Sequence, residues 1–288
     1  VMTYNIKFGG ARVDFFFDCH GDASVMQEGA VLVHLEGLAA KIRQVDPDVL
    51  VLQEVDVLSR RSAYVDQVQW LLDHTDLSYG AYASQWRADF IPQSGVGKVD
   101  SGNAILSRWP LADAERIGLP PIGEQDALTQ YFWLRRNLLR ARLDIPDTPD
   151  VWVIGTHAAA FSTDGTKRVH IDRFDDALYE LSTGGAVVIG AGDLNALPPG
   201  SAQLEGFDDE ACANNDFDAA NTYSEETDWL DGLYTRFTPA IPLAVYQANN
   251  APHFSHTTDK DGFWNRKLDY IFTNRDVVEG SGLVHQSK

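Results

Sequence analysis

The chain has 288 residues, of which 23 are Lys or Arg and 42 are Asp or Glu, giving a formal net charge of −19. A hydrophobic fraction of 44% with 7 Trp, 10 Tyr and 14 Phe excludes a disordered chain. So negative a field excludes a general coat for nucleic acid, though not a nuclease with a locally basic groove or bound cations.

In chain order, Val1 to Ile6 reads as a strand that ends on Asn5 and runs into Gly9-Gly10. Residues 11–28 mix aromatics, charges and glycine and read as a long loop. From Gly29 to Val45 the apolar positions Leu35, Leu38, Ala39, Ile42 and Val45 recur at three and four, which predicts an amphipathic helix stopped by Pro47. Asp48 to Glu54 is a buried strand that delivers Glu54 at its end, and a second helix is expected from Ala63 to His74. Ser101 to Pro110 reads as a turn, a short strand and a stop, and residues 111–130 read mostly as loop. Asn137 to Leu143 and Val151 to Thr156 are predicted as paired strands, with His157 at the exit of the second. Arg135, Arg136 and Arg140 either line a groove or decorate a strand's outer face. A helix from Thr166 to Leu181 precedes the apolar strand Val187 to Asp193, with Asn195 just beyond it and Pro198-Pro199 closing it off. Residues 199–258 are polar and irregular, and Lys267 to Phe272 is the last strand, with Asp269 near its start.

Gly192-Asp193-Leu194-Asn195 alone is equally an ordinary Asp/Asn turn. Asn5, Glu54, His157 and Asp269 also lie at strand ends, where open α/β sheets hold ligands, and that tips the balance toward a site. Carboxylates gathered without equal cations call for a hard divalent ion. Mg²⁺ takes one or two carboxylates and keeps its waters, which suits Glu54 and Asn5 as metal contacts, with Mn²⁺ as a substitute. No Cys/His cluster has the spacing of a structural zinc site. Beside such an ion Asp193 fits the base for an attacking water, Asn195 a donor to phosphate, and His157 a donor or acid on the leaving side. His253 and His256 read as ordinary histidines. Arg61 is a candidate phosphate contact for which surface solvation is the stronger reading, and Asn103 is a further candidate substrate contact. The two cysteines, Cys19 and Cys212, allow at most one disulfide, and no apolar run has transmembrane length.

Six motifs occur along nearly the whole chain: Met2-Thr3-Tyr4-Asn5-Ile6, Leu52-Gln53-Glu54-Val55, Ala104-Ile105-Leu106-Ser107-Arg108, Gly155-Thr156-His157, Gly192-Asp193-Leu194-Asn195 and Leu268-Asp269-Tyr270-Ile271-Phe272. In this order they resemble the endonuclease/exonuclease/phosphatase superfamily, the DNase I-like metal-dependent phosphoesterases. The resemblance implies an α/β four-layer sandwich of two mostly antiparallel sheets flanked by helices, in a single domain over 1–288. It implies a Mg²⁺-dependent hydrolase of phosphate esters, a phosphodiesterase or phosphatase acting on a small or lipid-derived substrate. Metal contacts fall on Asn5 and Glu54, phosphate contacts on His157 and Asn195, and water activation on Asp193, with Asp269 orienting a catalytic histidine. In the family that histidine lies in a Ser-Asp-His near the C-terminus. No such tripeptide occurs before Lys288, and His285 reads as part of a strand, so the expectation is a chain cut before that histidine or an enzyme without it. The alternatives are a DNA or RNA nuclease of the same superfamily, less favoured by the net charge, and a non-catalytic binding module on the same fold. Segments 9–28, 84–101 and 200–260 are expected to shape specificity. A monomer is expected, and secretion or the periplasm would follow if a signal peptide precedes Val1.

Overall fold

In the computed structural model the described residues are 1–18, 21–123, 133–160, 162, 164–207, 223–256 and 264–286. Cys19 and Cys212, and with them the question of a disulfide, lie outside that set.

Two sheets carry the fold. The first has the order β1 (Met2–Asn5), β2 (Val49–Asp56), β4 (Gly97–Ser107), β3 (Tyr79–Ile91). The second runs β5 (Leu111–Gly118), β6 (Asn137–Leu143), β7 (Val151–His157), β8 (Val187–Asp193), β10 (Asp269–Thr273), β9 (Thr238–Pro239). Both sheets are mixed: β1 lies parallel to β2 and β7 parallel to β8, while the other pairs are antiparallel. These two parallel pairs bring the carboxyl ends of four strands into the site, which the sequence-based expectation of mostly antiparallel sheets did not specify.

Side chains alternate across a strand, and β2 uses both faces. Leu50 and Leu52 pack outward against Ala39 and Ile42 of α1 (Glu28–Val45) and Leu71 of α2 (Gln67–His74). Val49 and Val51 point inward, into an inter-sheet core with Ile105, Leu139, Ala141, Val153 and Ala191. On the far side α3 (Thr166–Thr183) lays Ile171, Phe174 and Leu178 on Ile154 and Val188. A Cβ on Gly155 would stand 2.7 Å from Val51 Cγ1, so glycine there sets how closely the sheets approach.

α1 ends as predicted before Pro47, with Asp46 in the left-handed region (φ 55°) and its N–H bonded to Ile42 O. α2 begins later than predicted, because Asp66 accepts from Gln69 N–H and caps the helix there. β3 was not expected, and 84–101 is mostly strand instead of a specificity loop; Gly80, Ser84 and Gln85 carry little β propensity, and the pairing with β4 supplies the order. β5 likewise replaces the first part of the expected 111–130 loop. Its polar edge is held to β6 by the cross-strand ion pairs Arg140–Glu115 (2.6 Å) and Arg142–Asp113 (2.8 Å), so Arg140 decorates an outer face. Within 199–258 the described residues include α4 (Asp231–Arg236) and α5 (Leu243–Ala248). His285 lies in irregular backbone and not in a strand. No helix among the described residues is long and apolar enough to cross a membrane.

Candidate active site

Strand register assembles the site. Pairing β7 with β8 sets His157 against Asp193, and pairing β10 with β8 sets Asp269 against the same Asp193. Three residues far apart in sequence therefore form one row across the second sheet. Asn5 and Glu54 arrive from the first sheet. Leu52 pairs with Ala104 but Val55 with Gly102, an extra residue in β2 that bulges Gln53-Glu54. Glu54 takes φ 55° at this bulge, a left-handed conformation that a non-glycine residue adopts at a cost of order 1 kcal/mol or more. The bulge re-aims Glu54 while Gln53 stays buried, its amide shared with Thr3 and Val51 O.

Asn5 Nδ2 donates to Glu54 Oε1 (3.0 Å) and to Asp193 Oδ2 (3.1 Å), joining the two sheets through one amide. Asn5 Oδ1 accepts from Lys7 N–H (3.1 Å). The other Asp193 oxygen, Oδ1, accepts from Asn195 N–H (3.0 Å), a bond made possible by the left-handed backbone of Asn195 (φ 50°). Asn195 Nδ2 donates to Ala158 O (3.1 Å), tying the β8 exit to the β7 exit. His157 Nε2 stands 3.7 Å from Asp193 Oδ2, beyond hydrogen-bond length. Gly192 (φ 149°) is required between these strands, since a Cβ would sit 2.1 Å from Thr156 O.

Burial and the nearby Asp269 charge push the Asp193 carboxyl up to about 7. Asp269 is raised by the same desolvation, and Lys267, which donates to Asp269 O (2.6 Å), is lowered by its own. Burial, helped by the charge of Arg136, holds His157 well below its usual range, so its imidazole is neutral and serves as a hydrogen-bond donor more readily than as an acid. Its buried Nδ1 and the buried Asp269 Oδ1 have no protein partner.

Two half-buried groups, Asn5 and Glu54, with the raised carboxyl of Asp193 alongside, gather oxygen donors in one place. Among the described residues no three or more His, Cys, Asp or Glu side chains cluster as a closed metal cage. That donor set fits an ion that keeps most of its waters, as Mg²⁺ does, and does not fit structural zinc.

Other sequence-derived candidates fall elsewhere. Arg61 is only 6% exposed; its Nε and one Nη are bonded to Asp56 (2.9 and 2.8 Å), that Nη also to Ser101 Oγ, and its guanidinium stacks 3.7 Å from the Phe8 ring. The solvated reading fails because Asp56 is fully buried and needs its countercharge. Asn103 is buried, donating to Asn137 O and Oδ1, with its own Oδ1 lacking a protein partner. Two groups for which the sequence left a bland reading open or favoured lie near the site. Arg136 is close enough to feel the charges of Glu54 and Asp193, and His256 close enough for its charge to act on Asp193. Arg136 stood out only as one of two adjacent arginines before a strand. A cavity of about 260 Å³ opens beyond the β8 exit, lined by Leu197, Ser201, Tyr246, Phe254 and Arg266 among others.

Two stacked mixed sheets flanked by helices, with the polar strand ends gathered in one place, define a DNase I-like α/β sandwich. The chain belongs to the Endonuclease/Exonuclease/phosphatase family, whose model matches residues 2–287. Similar solved structures include an endonuclease/exonuclease/phosphatase from Beutenbergia cavernae, 20% identical with a TM-score of 0.55, covering 94% of this chain and 63% of that one. A mannosyl-6-phosphatase from Bacteroides thetaiotaomicron is 14% identical with a TM-score of 0.54, covering 94% and 84%. A functionally unknown conserved protein from Enterococcus faecalis is 17% identical with a TM-score of 0.50, covering 95% and 86%. The chain thus spans less than two thirds of the Beutenbergia protein, and at these identities the likeness is one of fold. No curated protein matches the chain.

Proposed function

We propose that this chain is a Mg²⁺-dependent hydrolase of phosphate esters, a phosphodiesterase or phosphatase acting on a small substrate, built as one domain over residues 1–288. The observation that carries the reading is the fixing of Asp193 from both sides: Asn5 Nδ2 on one oxygen and Asn195 N–H on the other, with His157 and Asp269 in the same row. A carboxylate so oriented, with its proton affinity raised near neutrality, suits the base that takes a proton from water attacking phosphorus. Glu54 and Asn5 would hold the divalent ion, whose contribution when bound is to neutralise charge on a phosphate oxygen. For Asn5 to join, its amide turns so that Oδ1 faces Glu54 in place of Nδ2, which also releases Asp193 Oδ2 to accept from the attacking water while Asn195 N–H keeps Oδ1 in place. The neutral His157 and the Asn195 amide orient phosphate oxygens as donors, and Arg136 adds positive charge beside them. Water attack forms the new P–O bond and breaks the ester P–O bond; the proton of the water passes to Asp193, and the ester oxygen leaves as the alcohol, taking its proton from solvent.

The net charge of −19, which disfavours a polyanion, supports a small substrate. One structural neighbour is a mannosyl-6-phosphatase, which accords with that class. The test is a panel of phosphomonoesters, small phosphodiesters, phospholipid headgroup esters and DNA, assayed with Mg²⁺, with Mn²⁺ and with EDTA, on wild type and D193A. Hydrolysis of small esters that EDTA and D193A both abolish supports the reading; faster cleavage of DNA than of any small ester replaces it with a nuclease, and the absence of any hydrolysis favours a binding module.

A further inference from the structure

Two polar side chains on the N-terminal part of α3 are buried where apolar ones would suffice to dock the helix. Lys167 is 1% exposed, and its ammonium donates to Asn195 O (2.9 Å) and to Glu226 Oε1 (2.6 Å), with the rings of Tyr223 and Trp229 at 5.0 and 5.8 Å. His170, one turn on and 2% exposed, accepts the Ala159 N–H at Nδ1 (3.1 Å). Its proton therefore sits on Nε2, which donates to Pro120 O (2.7 Å). Desolvating a lysine and a glutamate together is costly, and a well-packed apolar pair fills such a space at least as stably. The location of these bonds supplies a reason. Asn195 and Ala159 lie in the two strand-exit loops that carry the site, and Asn195 Nδ2 to Ala158 O already links those loops. Residues three apart on a helix share one face, so a single rigid face of α3 grips both exits.

We propose that Lys167 and His170 are positioning residues: Lys167, neutralised by Glu226, fixes the left-handed Asn195, and His170 fixes the backbone just after His157. The proposal rests on the reading that Asn195 and His157 bind the phosphate. The brace acts on the β7 and β8 exits only. Glu54 is placed by the bulge in β2, and α3 does not touch it through these bonds. Loosening the brace therefore weakens anion binding and turnover and leaves divalent-ion binding alone.

The test uses K167M/E226Q, which removes both charges at nearly constant volume, and the pair H170F and H170N, of which only Asn keeps an acceptor near the Nδ1 position. On the full-length protein, kcat toward the best substrate of the panel is expected to fall on the order of ten- to a hundredfold in K167M/E226Q and H170F, as a sub-ångström misplacement produces. The thermal shift given by inorganic phosphate is lost in those two, the shift given by Mg²⁺ is kept, and H170N behaves as wild type. Wild-type kcat and phosphate response in K167M/E226Q, equal behaviour of H170F and H170N, or a parallel loss of the Mg²⁺ and phosphate responses would each overturn the proposal. If the wild type hydrolyses nothing, the hydrolytic reading fails by itself. The brace is then judged by the side-chain amide resonance of Asn195, which moves in K167M/E226Q if Lys167 holds that residue and stays in place if it does not.

Discussion

Asn5 Nδ2 reaches across the sandwich to Asp193 Oδ2 at 3.1 Å, so a residue at the end of the first strand orients a carboxylate 188 positions away. The same NH₂ group holds Glu54, so one amide links the three side chains. N5A is expected to weaken divalent-ion affinity and kcat by about 10–100-fold, the usual cost of losing a contact that orients a metal site. Isothermal titration with Mg²⁺ and steady-state kinetics check this; a variant with unchanged Mg²⁺ affinity removes Asn5 from the site.

Asp193 carries a pH dependence whose sign follows from its raised pKa. Its carboxyl titrates near 7 in the metal-free fold and near 3.8 ordinarily, so the folded protein binds the extra proton. The resulting stabilisation is complete below about pH 4 and is lost as pH rises through about 7. Metal-free protein should therefore melt lower at about pH 8 than at about pH 6, and D193N should flatten that slope while abolishing turnover. Mg²⁺ competes with the proton, so the stabilisation it confers should grow over the same interval. Thermal melts with EDTA and with Mg²⁺ across that range decide it, and an identical slope in wild type and D193N would dismiss Asp193 as its source.

Arg61 belongs to the framework. R61A leaves the buried Asp56 without a countercharge, and breaking such a pair costs about 3–5 kcal/mol. R61M/D56N removes both charges and should recover much of that loss. Urea denaturation measures both, and a KM for R61M/D56N within about threefold of wild type is expected, well under the 1.4 kcal/mol that a tenfold change represents. A large KM increase in a stable double variant would return Arg61 to the substrate site.

Gly155 and Val51 set the spacing between the sheets. G155A forces a methyl to 2.7 Å from Val51 Cγ1 and should cost about 1–3 kcal/mol as overpacking. V51A removes the obstructing methyls, so G155A/V51A should be more stable than the sum of the two single losses predicts. Simple additivity in chemical denaturation would show that the sheets relax without meeting at this point.

Much of the candidate site was legible because Asn5, Glu54, His157 and Asp193 each follow a strand's apolar run. The apolar runs before Glu54 and Asp193, and the strand before His157, are hydrophobic enough to be read locally, and the fold brings the residues at their ends together. β3 and β5 escaped notice for the opposite reason. Both are edge strands whose polar, glycine- and alanine-containing sequences become strands only when paired with β4 and β6. Arg61 illustrates a different limit: Arg60-Arg61-Ser62 looks solvated until the fold buries Asp56 beside it. For Arg136 the sequence left a groove and an outer face equally open, and for His256 it favoured an ordinary histidine, since only the fold brings their charges to Asp193.

By itself the sequence determined which strands are buried, which residues stand at their ends, and which family the chain resembles, because hydrophobic period and strand-end position are local properties. The tertiary structure alone decided the row His157, Asp193, Asp269, the bulge that turns Glu54, the amide of Asn5 spanning two sheets and the grip of α3 on both exits. Those depend on register, sheet spacing and desolvation, which arise between segments distant in the chain and leave no periodic trace in any one of them.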